Sequence, residues 1–156
     1  MAKTTETAFI TGGASGIGRA VALMLASKNI RVFIADRDEA GAHQVARETN
    51  GLYGVVDVTS WESQVSAFSR AVTQFGRVDY VFPIAGIGEN DWLVEPSSSE
   101  PAMFEKPNLD VLDVNVTGAM YTVALAIQQF RRQARNRYGY RGKGILLCLQ
   151  DKSNPI

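Results

Sequence analysis

The stretch Thr11-Gly12-Gly13-Ala14-Ser15-Gly16-Ile17-Gly18 separates a short apolar run, Ala8-Phe9-Ile10, from Arg19-Ala20-Val21-Ala22-Leu23-Met24-Leu25. That order is strand, glycine-rich turn, helix. Ile17, Ala20, Val21, Met24 and Leu25 recur at i, i+3, i+4, i+7 and i+8, the spacing of one helix face. A turn this tight needs positions without a Cβ, because the backbone must approach a ligand closely or take a positive φ. The first N–H groups of the following helix have no intrahelical partner and favour an anion. A diphosphate is the natural guest. Thr11, Gly12, Ser15, Gly16, Ile17 and Gly18 are therefore candidate ligand contacts.

Beyond the turn, Arg31-Val32-Phe33-Ile34-Ala35 reads as a second buried strand ending at Asp36. In a strand-helix-strand unit an acidic residue at about this distance from the glycine turn meets an adenosine ribose. Its oxygens accept from the ribose hydroxyls, and its charge opposes a 2′-phosphate. The alternative is a helix cap, since Asp38 and Glu39 open the next helix. Arg37, beside the site, suits a 2′-phosphate, so NADP is the lesser expectation and NAD the main one. The helix from Asp38 to Thr49 stops at Asn50-Gly51. His43, the sole histidine, has no catalytic pattern around it and reads as a solvated helix residue, and no metal site is expected.

A third strand spans Leu52 to Val58, and a helix from about Ser60 to Phe75 turns Val65, Phe68, Val72 and Phe75 toward a core. Thr59 and Glu62 form a plausible capping box for it. Strand four, Val78 to Phe82, runs into Pro83-Ile84-Ala85-Gly86. From Ile87 to Asn108 comes a long connection with three prolines and Ser97-Ser98-Ser99. Its Trp92, Leu93, Met103 and Phe104 either wall an apolar substrate or pack beneath the loop. A long helix from Leu109 to Arg135 carries Leu109, Leu112, Val116, Met120, Val123, Ile127 and Phe130 as one stripe that needs covering. Arg131, Arg132, Arg135, Arg137, Arg141 and Lys143 follow. Cations at a helix C-terminus suit its dipole, and that reading is favoured over a nucleic-acid patch. The last strand covers Gly144 to Leu149.

Composition narrows the class. A chain of 156 residues fits one domain. Sixteen basic and sixteen acidic residues cancel, so no global field attracts nucleic acid or a membrane surface. One cysteine, Cys148, excludes an internal disulfide and fits a reducing compartment. The first residues lack the apolar segment of a signal peptide, and no apolar run approaches transmembrane length. The cytoplasm is the expected location.

Taken together, Thr11-Gly12, Gly16 and Gly18 as T-G-x-x-x-G-x-G, Ala85-Gly86 after strand four, and Asn115-Val116-Thr117-Gly118 resemble the short-chain dehydrogenases/reductases. The resemblance spans about Thr7 to Leu147. It implies an α/β, Rossmann-like, doubly wound parallel sheet of five strands in the order 3-2-1-4-5. It gives Asp57 and Val58 a role at the adenine, with capping as the alternative for Asp57. Ala85 and Gly86 would let the cofactor lie against the backbone, although Pro83 and Ile84 replace the family's Asn-Asn. Asn115 would help hold a water-linked proton path and is the single catalytic candidate. The Phe82–Gly86 region and the apolar loop loosely resemble hydroxyprostaglandin-dehydrogenase-like members.

The family's strand five ends at a serine and is followed by Tyr-x-x-x-Lys, with the tyrosine as acid/base. Here Gln150 stands near the serine's place, and neither Tyr138 nor Tyr140 has a lysine four residues later. The expectation is thus a Rossmann domain over residues 1–149 with a polar tail over 150–156, truncated after strand five and inactive alone. Its lineage is NAD-dependent hydride transfer between nicotinamide and an alcohol/ketone pair, the substrate being unknown. The rival is a non-catalytic NAD-binding protein, a sensor or a partner of an intact homologue. Self-association through the long helix and the open strand edge Ile145–Leu149 is also expected.

Overall fold

The computed structural model describes residues 5–88 and 106–144. The apolar loop residues Trp92, Leu93, Met103 and Phe104, the strand positions from Ile145 to Leu149, and the tail lie outside the described residues. The strands are β1 (Thr7–Thr11), β2 (Arg31–Asp36), β3 (Leu52–Val55), β4 (Tyr80–Pro83) and β5 (Lys143–Gly144). All pairings are parallel, in the order β3-β2-β1-β4-β5. The chain winds outward from β1 through β2 to β3, then returns to β1's other side with β4. A crevice therefore opens at the carboxyl ends of β1 and β4.

Continuous apolar runs suit strands covered on both faces, and β1 is buried along its whole length. The two-residue period sends Ala8 and Ile10, with Val32, Ile34, Phe82 and Ile84, into one layer of core. That layer is closed by α1 (Gly16–Ser27) and α2 (Glu39–Thr49). Phe9, Phe33, Ala35 and Val81 point the other way, toward α3 (Trp61–Phe75) and the helix Asp110–Arg132. Phe9 stacks on Phe33 with ring centroids 5.4 Å apart and meets the edge of Phe68 at 4.9 Å. Each such side chain contributes about 1.5–3 kcal/mol by burial.

The last helix among the described residues, α4 (Asp110–Arg132), is continuous, with a π-helical segment over Asp113–Gly118. By length and composition it is apolar enough to cross a membrane, which the sequence reading did not anticipate. One of its faces is buried at Gly118, Thr122 and Ala126, packing on the Val58 turn, on Gln64 of α3 and on the core beneath the sheet. The predicted stripe is mostly the other face, since Leu109, Leu112, Val116, Met120 and Ile127 are exposed.

Helix α1 departs in the same way. Its buried positions are Gly18, Ala22 and Leu25, while Ile17 and Met24 are half exposed. In α3 the core face is Gln64, Ala67, Phe68 and Ala71, so that Val65, Val72 and Phe75 flank it. Small residues let a helix approach a sheet closely, and the larger ones are displaced to its flanks.

Two local expectations are corrected. Helix α3 is capped by Ser60, whose Oγ accepts the Ser63 N–H at 3.2 Å, and not by Thr59 with Glu62. Strand β3 ends at Val55, three residues before the expected Val58.

Candidate functional site

The turn after β1 is shaped by what its glycines lack. Gly12 has φ +72°, and a Cβ on it would lie 2.6 Å from the backbone of Ala85. Only glycine lets the β1 turn pass so close to the end of β4. A Cβ on Gly18 would fall 2.0 Å from the Gly12 carbonyl oxygen, so α1 packs directly on its own turn. Gly16 is the opposite case, because nothing lies within 4 Å of its missing Cβ. That open side faces the crevice. Ser15, in extended conformation, makes no side-chain cap bond, and the first turn of α1 holds no acidic residue. The helix's leading N–H groups are thus left to an outside acceptor, and an anion fits them.

The crevice has a volume of about 640 Å³, within the range typical of small-molecule sites. Gly12, Ser15, Gly16, Ile17 and Gly18 line it, as do Asp36, Arg37, Asp57, Val58, Ala85 and Gly86. Among the residues expected there, Thr11 stands apart. It is 1% exposed and does not line the crevice. Its carbonyl accepts the Ile84 N–H at 3.2 Å and its hydroxyl accepts the Ala85 N–H at 3.4 Å. Thr11 ties β1 to β4 from beneath.

Asp36 is held by the backbone. Its Oδ2 accepts the Ala14 N–H at 2.9 Å and its Oδ1 the Asp38 N–H at 3.1 Å. The cap of α2 is Asp38, which accepts the Gly41 N–H at 3.1 Å, so Asp36 is free of that duty. Each carboxylate oxygen keeps a lone pair for a further donor.

Asp57 sits past the end of β3, where its Oδ1 accepts both the hydroxyl of Thr59 at 2.7 Å and its N–H at 2.9 Å. The Thr59 hydroxyl bond, then the Thr59 backbone bond, and more weakly the charge of Arg37, hold the Asp57 carboxyl below its usual range. The cradle thus combines free amides, fixed carboxylates and a wall of small apolar residues. A dinucleotide fits that donor set.

Asn115 lies in the π segment of α4 and clamps the loop beyond β4. Its Oδ1 accepts the Ile87 N–H at 2.9 Å and its Nδ2 donates to the Ile87 carbonyl at 3.0 Å. It therefore shapes the crevice through Ile87, which lines it. Ile84, Gly88, Val56, Asp38 and Val114 also line the crevice and were missed. Ile87 and Gly88 simply continue the Ala85-Gly86 signal, whereas Val114 is brought in by tertiary packing. Of the basic residues after α4, Arg141 donates to the Arg131 carbonyl at 2.8 Å, at the helix end where a cation is favoured.

The profile of the short chain dehydrogenase family matches residues 6–137. This chain belongs to the short-chain dehydrogenase family. It is 32% identical over 126 residues to the short-chain dehydrogenase/reductase prx4 of Penicillium rubens, a match covering 81% of this chain and 36% of that protein. It is 34% identical over 132 residues to the NADP-dependent dehydrogenase M3 of a Phoma species, covering 80% and 39% respectively.

In three dimensions it resembles a 3-ketoacyl-(acyl-carrier-protein) reductase from Brucella melitensis solved with NADH. That likeness has a TM-score of 0.69 at 32% identity and covers 81% of this chain and 50% of the reductase. The chain thus spans half or less of the length of these relatives. Pro83 and Ile84 are both buried, Pro83 pairing with Thr11 at the end of β4 and Ile84 entering the core, so apolar packing leads directly into Ala85 and Gly86.

Proposed function

We propose that this chain forms the cofactor-binding part of an NAD(H)-dependent oxidoreductase acting on an alcohol/ketone pair. The observation that carries the reading is Asp36, which lines the crevice, is oriented by two backbone amides, and is not needed as a helix cap. In this reading the leading amides of α1 and the Ser15 hydroxyl hold the diphosphate. Asp36 accepts from the adenosine ribose, Asp57 and Val58 border the adenine, and Ala85 and Gly86 form the floor beneath the nicotinamide half. The nicotinamide, when bound, supplies the site that takes or gives the hydride.

Arg37 lines the same rim and is the group that would favour NADP(H). Calorimetric titration with NAD⁺ and NADP⁺ decides between them. Tighter NAD⁺ binding supports the proposal, and equal or reversed affinity means that Arg37 outweighs Asp36.

A second reading has its own support, because the 156 residues contain no Tyr-x-x-x-Lys to exchange the proton. The polypeptide is then a binder of NAD(H), as a sensor or as partner to an intact homologue. General acid catalysis supplies typically 10²–10⁴-fold in such reactions. The purified 156-residue chain is accordingly expected to oxidise no secondary alcohol above background. Turnover that survives repurification and disappears in Gly16→Val would overturn that expectation. We also propose that the exposed apolar face of α4 mediates self-association.

A further inference from the structure

Gln64 is an amide side chain in the middle of a core face, 0% exposed, where the helical pattern calls for an apolar residue. Its hydrogen bonds account for the choice. Nε2 donates to the Val58 carbonyl at 2.7 Å and to the Gly118 carbonyl at 2.8 Å. Oε1 accepts the hydroxyl of Thr122, also 0% exposed, at 2.7 Å. Two carbonyls on one side and a hydroxyl on the other fix the orientation of the amide.

The partners matter more than the bonds. Val58 lies on the turn after β3 that borders the crevice. Gly118 closes the π segment of α4, three residues after Asn115. The two walls also touch directly, since a Cβ on Gly118 would lie 2.9 Å from the Val58 side chain. Asn115 in turn holds both backbone groups of Ile87, on the opposite wall.

We propose that Gln64 is a positioning residue for the cofactor crevice, joining the turn at Val58 to the π segment of α4 and, through Asn115, to Ile87. Neither Gln64 nor Gly118 lines the crevice, so its effect on ligand is indirect. A wall held by a buried, fully bonded amide moves as a unit with its neighbour, because any separation leaves buried carbonyls unpaired. The two halves of the site would then be set to one spacing before a ligand arrives. This rests on the proposed NAD(H) binding only for its consequence in affinity, and not for the coupling itself.

The test compares Gln64→Met, similar in size but without donors, with Val72→Ala on the same helix as a control matched for loss of melting temperature. Amide hydrogen exchange is read at Ile87 in the ligand-free 156-residue chain. Gln64→Met should speed exchange at Ile87 roughly tenfold relative to the control. NADH affinity should fall roughly tenfold, and Asn115→Ala should cost less affinity in the Gln64→Met background than in the parent.

Unchanged exchange at Ile87, or additive losses, overturns the coupling. Faster exchange in Gln64→Met, with a parent chain that binds no NADH, would instead refute the cofactor assignment while leaving the coupling in place. Should Gln64→Met not fold, Thr122→Val removes one partner of the same amide with its shape kept, and the Ile87 readout decides in the same way.

Discussion

At the scale of single residues, Asp36 and the glycines make separable demands. Asp36 is held by the Ala14 and Asp38 amides, so the ribose contact proposed for it needs no rearrangement of its carboxylate. Hydrogen bonds to a charged group are worth about 1.5–3 kcal/mol. Asp36→Ala should therefore shrink any NAD(H)-over-NADP(H) preference by roughly 10–100-fold, read as the ratio of the two dissociation constants. An unaltered ratio would remove Asp36 from the account.

Gly18 and Gly16 should part company in denaturation. A methyl on Gly18 meets the Gly12 carbonyl at 2.0 Å, and Gly18→Ala should lower stability by roughly 3 kcal/mol or more. Gly16→Ala meets open space and bears only the strain of its positive φ, about 1–2 kcal/mol. Urea unfolding that ranked the two in the reverse order would show that the turn, and not the helix contact, is rigid.

At the scale of elements, the grammar of the chain was readable and its facing was not. The strand, glycine turn and helix and the αL stop at Asn50 could be read from local pattern, whereas the strand order came with the family resemblance. Most of the crevice followed, since its residues sit at strand ends and turns. The helix faces were misjudged, by one position in α1 and α3 and by most of a half turn in α4, because large side chains dominate the pattern whereas the buried positions include Gly18, Ala22, Ala67, Ala71, Gly118 and Ala126.

The π segment was invisible, since a single wider turn leaves the three-and-four repeat of apolar residues intact. Gln64 was hidden because its partners lie up to 58 positions away. The misjudged face has a testable use. Met120 is 66% exposed on α4, in line with Leu112, Val116 and Ile127. Met120→Lys should shift sedimentation toward monomer while leaving the melting temperature of the monomer unchanged. Equal association in both proteins would place the contact elsewhere.

At the scale of the whole molecule, the amino-terminal edge of the sheet is fastened by a polar knot. Glu6 Oε1 accepts the hydroxyls of Tyr80 at 3.1 Å and Tyr140 at 3.2 Å, and these hydroxyls lie 2.9 Å apart. Burial first, then the hydrogen bonds to Tyr140 and Glu6, raise the Tyr80 pKa. An unfolded tyrosine ionises near pH 10, at about its ordinary pKa. The fold keeps its proton beyond that, so the stabilisation is full below about pH 10 and is lost as pH climbs through the higher folded value. Thermal melts should show an alkaline decline that is shallower in Tyr80→Phe, and parallel declines would assign the loss to other groups.

The sheet order carries a further consequence for synthesis. Strand β1 leaves the ribosome first and gains β2 soon after, but its bond between the Thr7 N–H and Asp79 spans 72 positions. At about 5–20 residues per second that wait lasts roughly 4–14 s. During it the nascent chain can build the glycine turn, Asp36 and the Asp57 turn, while one edge of its central strand stays unpaired and open to other chains. The crevice's second wall arrives with Ala85 and Gly86, so translation delivers the complete crevice late, and a stalled chain shorter than β4 would display the glycine turn without the crevice.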